Sequence, residues 1–117
     1  MDIVTLGASR TALLDADGPV FAREDDALEV IGALYGQDVE LVVIPVSRLA
    51  PEFFMLGTRL AGLFLQKLRN YQLRVAILGD ISAQLAQSAA LRNFVYESNK
   101  GRQVVFAADR DELARLV

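Results

Sequence analysis

The sequence predicts an α/β domain built on a mostly parallel central sheet of about five strands, with helices packed on it. Three observations predict this fold. Leu41-Val42-Val43-Ile44, Arg74 to Leu78 and Gln103 to Ala107 are short, largely apolar and β-branched runs, the pattern of strands buried on both faces. Segments of helical length lie between them, and strand–helix alternation is the signature of parallel βαβ units with right-handed crossovers. The chain has 117 residues, the size of one domain, and 53% of it is hydrophobic, enough for a core without staples. A single α/β domain over 1–117 is therefore expected, without internal repeat, low-complexity tract or linker.

The elements follow in order. Residues 3–6 and 11–14 are apolar runs separated by Gly7-Ala8-Ser9-Arg10, which reads as strand, turn, strand. Asp17-Gly18-Pro19 is a turn, because glycine accepts positive φ and proline cannot sit in a central strand. Asp25 and Asp26 offer an N-cap to a helix whose apolar positions are Leu28, Ile31, Leu34 and Tyr35, with Gly36 at its C′ position. Strands are expected at about 39–46, 74–79 and 103–107, and helices at about 51–71, 83–99 and 110–116. On the helix at 51–71, Phe53, Phe54, Leu60, Ala61, Phe64, Leu65 and Leu68 share one arc. The opposite arc holds Arg59, Gln66 and Asn70, with Thr58, Gly62, Lys67 and Arg69 beside them and Leu56 and Leu63 among them.

Composition excludes much chemistry. The chain has no cysteine and no histidine, so disulfides, thiolate nucleophiles, serine–histidine triads and histidine metal sites cannot be built. No metal and no cofactor is expected. The formal charge of −3 argues against a dedicated nucleic-acid binder, although Arg59, Lys67 and Arg69 leave room for a local basic patch. Met1-Asp2-Ile3-Val4 lacks the basic start of a signal peptide, and no apolar run reaches the length of a membrane span. The expectation is a protein of a bacterial-type cytoplasm, away from membranes. Gly57 to Gly62 lacks the lysine and hydroxyl ending of a phosphate loop, so nucleotide hydrolysis and dinucleotide binding find no support.

Four stretches bear a family resemblance. They are Phe53-Phe54-x-Leu56-x-Thr58-Arg59-Leu60-Ala61-Gly62, Gln66-Lys67-Leu68-x-Asn70-Tyr71, Ala76-Ile77-Leu78-Gly79-Asp80 and Phe94-Val95-Tyr96-Glu97-Ser98-Asn99-x-Gly101. Together they resemble the bacterial family known as domain of unknown function 4180, over most of the chain from about residue 25 onward. The order of elements also resembles the STAS fold of anti-sigma-factor antagonists, in which two strands precede alternating helices and strands. That resemblance implies a STAS-like single domain. Its hallmark, a phosphorylatable serine at the start of the helix after the third strand, is missing from Leu49-Ala50-Pro51-Glu52-Phe53.

Candidate binding residues fall into three groups. Asp80 and Ser82 stand at the carboxyl end of a buried strand, where open α/β sheets bind ligands; the same pair could instead cap the next helix. Arg59, Gln66, Lys67 and Asn70, with Thr58 beside them, form a polar contact surface, line a pocket or make up a solvated helix face. Glu97 and Asn99 end a helix before Gly101; Asn99 suits a C-cap, whereas Glu97 opposes the helix dipole and calls for Arg102, Lys67 or a backbone amide as partner. In a βαβ unit the start of helix 51–71 lies at the edge of Asp80, and Asn70 lies at the other edge, near Asn99. The edge at Asp80 also carries Ser47, Arg48 and Glu52, and its helix N-termini favour an anionic or polar guest.

These residues favour a non-catalytic regulatory or interaction module that binds a protein partner or a small ligand, with no catalytic residue assigned. The alternative is a small enzyme or ligand sensor using Asp80, Thr58 and Lys67. Leu56 and Leu63 could seed a symmetric homodimer.

Overall fold

The computed structural model describes residues 1–117. Strands β1 (Asp2–Leu6) and β2 (Ser9–Leu13) form an antiparallel hairpin around Gly7-Ala8. Helix α1 (Ala27–Leu34), strand β3 (Leu41–Pro45), helix α2 (Leu60–Asn70) and strand β4 (Arg74–Leu78) follow. Helices α3 (Ser82–Gln87) and α4 (Ala89–Lys100), strand β5 (Val104–Ala107) and helix α5 (Arg110–Leu116) complete the fold. The sheet order is β1-β2-β3-β4-β5, and every pair after the hairpin is parallel. The α/β fold with a mostly parallel five-stranded sheet is as the sequence predicts. No helix is long and apolar enough to cross a membrane.

Side chains alternate between the two faces of a strand, so the apolar runs supply two cores. Val42, Ile44, Val75, Ile77 and Phe106 face one core together with residues of α1, α2 and α4. Leu41, Val43, Ala76, Val105 and Ala107 face a second, smaller core closed by Leu113 of α5. Strands that follow one another in space as in sequence keep same-handed crossovers on one side, which is why α1, α2 and α4 share a face. Helix α5 follows the last strand with no crossover to complete and turns to the other side.

Three helices differ from expectation. Residues 51–71 do not form one helix: Pro51–Phe54 and Leu56–Thr58 are short 3-10 turns, and α2 starts only at Leu60. The Thr58 hydroxyl donates toward the carbonyls of Glu52 and Met55, both at 2.8 Å, and accepts from the Leu60 amide at 3.3 Å. A side chain that bonds its own backbone competes with helix, Gly57 beside it is a poor helix former, and Arg59 turns left-handed at φ 66°. The expected buried arc survives the break: Phe53, Phe54, Leu60, Ala61, Phe64, Leu65 and Leu68 are all buried. Residues 83–99 likewise split, because Ser88 leaves helical geometry and its hydroxyl caps α4 by accepting from the Leu91 amide at 3.0 Å.

Helix α1 is turned relative to expectation. Its buried residues are Ala27, Val30 and Leu34, and Leu28 and Tyr35 are exposed. Asp26 does not cap forward; its carboxylate accepts from the backward amides of Ala22 and Arg23 at 2.8 and 2.9 Å. The chain thus enters through a 3-10 turn at Glu24–Asp26, which sets the helix with the small Ala27 inward. Gly36 stands at the expected left-handed position, φ 78°.

Phe64 lies at the centre of the larger core, 1% exposed, with ring centroids 5.6 Å from Phe21 and 6.0 Å from Phe53. Phe64→Ala removes both contacts and leaves a cavity that close-packed neighbours fill only in part. The expected cost is about 3–5 kcal/mol, read as a lower midpoint in urea denaturation.

Candidate functional site

Ligand crevices in open α/β sheets form at the carboxyl ends of adjacent strands whose chains leave toward opposite faces. Only one pair of strands here meets that condition. After β4 the chain passes to α3 and α4 on the face of the larger core, and after β5 it passes to α5 on the face of the smaller one. A cavity of about 270 Å³ opens at this point. Ile77, Leu85, Val95 and Phe106 wall it, Asp80, Ser82, Asn99 and Glu112 supply its polar side chains, and no lysine or arginine lines it.

Gly79 makes the turn into this cavity possible. Its φ of 144° is one that residues with side chains rarely adopt, and a Cβ there would stand 2.8 Å from the Val46 side chain. Asp80 Oδ1 accepts the Ser82 amide at 2.9 Å, which closes a local turn just ahead of α3; the N-cap position itself is Ile81, and no side chain caps this helix. The Ser82 backbone and side chain hold the Asp80 carboxyl below the ordinary carboxylate range. Asp80 is exposed at the cavity mouth. Glu112 reaches back from α5 to the Ala108 amide at 3.3 Å, while Asp109 caps the same helix through the Glu112 amide at 2.8 Å.

Asn99 belongs to this cavity, not to the far edge with Asn70. Its Oδ1 accepts the Phe106 amide at 2.7 Å and its Nδ2 donates to the Phe106 carbonyl at 3.1 Å. Strand β5 is four residues long, so its two ends are only about 10 Å apart and a side chain near the end of α4 reaches its third residue. The amide group pairs with the outer edge of β5 as a neighbouring strand would.

The remaining candidates lie elsewhere. Lys67 is tied to Asp25 at 2.6 Å and to Glu24 at 3.7 Å, which joins α2 to the turn before α1. Gln66 donates to Asn70 at 2.9 Å on the outer face of α2. Glu97 pairs with Lys100 at 3.2 Å, one helical turn on, so its partner is none of the three anticipated. Thr58 is occupied by backbone carbonyls. Ser47 and Arg48 hold the 15–21 loop: Ser47 donates to the Ala16 carbonyl at 2.7 Å and Arg48 to those of Pro19 and Asp15 at 2.8 and 3.0 Å. Arg59 and Gln66 border a groove between α2 and α4. The structure thus gathers Asp80, Ser82 and Asn99 and leaves the other six apart.

Glu112, Val95 and Phe106 complete the cavity and were not among the sequence candidates. Asp109-x-x-Glu112 carries a capping-box pattern, which marks Glu112 as a residue that turns back toward the strand end. No group of three or more acidic, histidine or cysteine side chains converges anywhere in the chain. A wider hollow of about 520 Å³ lies between Val46, Leu49, Pro51, Phe54 and Met55 and the polar residues Gln84, Gln87 and Ser88, and no charged side chain lines it.

Asn99→Ala frees both polar groups of Phe106 at a part-buried edge, with an expected cost of about 1–3 kcal/mol. Hydrogen exchange at the Phe106 amide should quicken with it. Asp25 and Lys67 shift each other's titration. The Lys67 hydrogen bond lowers the Asp25 pKa, and the Asp25 hydrogen bond raises that of Lys67. A depressed carboxyl stabilises above its unfolded pKa and loses that contribution as pH falls through the folded one; a raised lysine stabilises below its unfolded pKa and loses it as pH rises through the folded one. The tie is therefore whole between the ordinary carboxylate and lysine ranges. In an NMR titration the Asp25 midpoint should rise in Lys67→Met.

Comparison with curated proteins and with solved structures gives no match. The family described as Domain of unknown function (DUF4180) matches residues 7–116, nearly the whole chain. The four stretches quoted above lie inside that match. The chain belongs to the family of domain of unknown function 4180.

Proposed function

We propose that this domain is a non-catalytic binding module that takes a small cationic or donor-rich group into the cavity beside Asp80. One observation supports this above all: a crevice at the carboxyl ends of β4 and β5 has apolar walls and two carboxylates as its only charged side chains. Small-ligand sites are mostly apolar with a few placed polar groups, and this one is small, so the guest is a short chain or ring with one charged head. The carboxylates reverse the preference for an anion that bare helix N-termini would set. The order of elements, a hairpin and then alternating helices and strands, supports a STAS-like regulatory role.

Catalysis is the weaker reading because of the direction in which Asp80 is shifted. A general base works best with a pKa near the working pH, and Asp80 is moved away from neutrality. As a fixed negative charge the same shift is an advantage, since the carboxylate stays ionised in mild acid.

The test uses butylammonium, butanol and butyrate, which share an apolar body and differ in charge. Butylammonium is expected to shift the NMR amide signals of Asp80, Ser82, Asn99 and Ala108, butanol less, and butyrate not at all. Asp80→Asn should weaken butylammonium binding by about tenfold, and wild-type binding should persist in mild acid until pH falls through the lowered Asp80 pKa. An equal response to butyrate, or shifts centred away from these residues, would sink the proposal.

A further inference from the structure

The groove between α2 and α4 differs from the cavity in shape and in sign of charge. One end is formed by Leu56, Arg59, Gly62, Leu63 and Phe94, and Gly62 and Phe94 continue into the other end beside Gln66 and Arg69. Its base is apolar, and Leu63 stands 44% exposed on its lip. We propose that this groove docks an acidic, amphipathic segment of another protein.

Charge carries the choice of occupant. Residues 53–79 contain Arg59, Lys67, Arg69 and Arg74 and no aspartate or glutamate, in a chain whose net charge is −3. No carboxylate lines either end of the groove. Arg59 and Arg69 are exposed and take part in no ion pair, whereas Lys67 is neutralised by Asp25 and Glu24. Two free guanidiniums thus flank an apolar trough, about 15 Å apart along the helix axis. Guanidinium forks bind carboxylates in a bidentate manner, and an amphipathic helix lies in such a trough by its apolar face. The fitting segment carries acidic residues on both flanks of an aliphatic or aromatic stripe. A second copy of this chain is a poorer occupant, because a symmetric dimer through Leu56 and Leu63 would set this cationic surface against itself.

Gly62 keeps the trough open. A Cβ at this position would meet nothing within 4 Å, so neither packing nor backbone strain requires glycine there. A large side chain would fill the groove without disturbing the core, and it would favour the helix.

The test is selection of displayed random peptides, long enough to span both arginines, on the immobilised protein. Binding of the selected peptides is then measured by fluorescence anisotropy. Recovered sequences should combine Asp or Glu with aliphatic or aromatic residues. Their affinity should fall at least about tenfold in Arg59→Glu/Arg69→Glu, stay within about threefold in Arg59→Lys/Arg69→Lys, and be lost in Gly62→Leu. The Gly62→Leu protein should melt no lower than wild type, which separates a blocked groove from an unfolded one. Four results would each overturn the proposal. They are recovery of no peptide, recovery without acidic enrichment, equal binding of polyglutamate lacking any apolar residue, or self-association abolished by Leu63→Ser. None of these outcomes bears on the cavity beside Asp80.

Discussion

The central strand β3 must be covered twice. Leu41, Val42, Val43 and Ile44 are each at most 1% exposed, and alternate members point to opposite faces of the sheet. Burying both rows needs a layer on each side. The crossover helices supply one layer, because strands laid down in sequential order send their connections to a single face. The other layer comes from α5, the one helix that is not a crossover. Splitting the chain this way after β4 and β5 opens the crevice, so the cavity follows from the demand for a second cover.

Electrostatics then separates the surface into two characters. At the carboxyl edge, Asp80 and Glu112 line a small crevice without a cation. Along α2 and α4, Arg59 and Arg69 border an open trough without an anion. Charges that the fold itself uses are already paired, as with Lys67 and Asp25 or Glu97 and Lys100. Exposed pairs of this kind contribute little stability, but they remove those groups from any contest for a ligand. What remains unpaired is what a partner could meet.

The sequence made the fold legible where the signal is composition and not geometry. The runs at Leu41–Ile44 and Arg74–Leu78 announce burial on both faces whatever surrounds them, and the apolar arc from Phe53 to Leu68 was correct although its helix is broken. The breaks were hidden because they depend on which partner a hydroxyl chooses. Thr58 closes onto carbonyls behind it and Ser88 caps the amide ahead, and neither choice can be told from residue type alone. Asp80 and Ser82 could be placed from the strand end they follow. Asn99 could not, since its role depends on the short length of β5, and Glu112 enters the cavity only because α5 crosses to the other face. Interpreting α1 by its largest apolar residues was right for Leu34 and misled at Leu28 and Tyr35, because the buried face runs through Ala27 and Val30.

The clamp of Asn99 on Phe106 makes the two margins of the sheet unequal. An edge strand displays unpaired amides and carbonyls that invite another chain to add on, a route both to partner recognition and to aggregation. At β5 the outward amide and carbonyl of Phe106 are already taken by a side chain that no incoming strand can easily displace. At β1 the outer margin of Asp2–Leu6 has no such guard. Extension of this sheet is therefore uneven: the margin at β1 is open along its length, whereas at β5 the Phe106 position is already occupied.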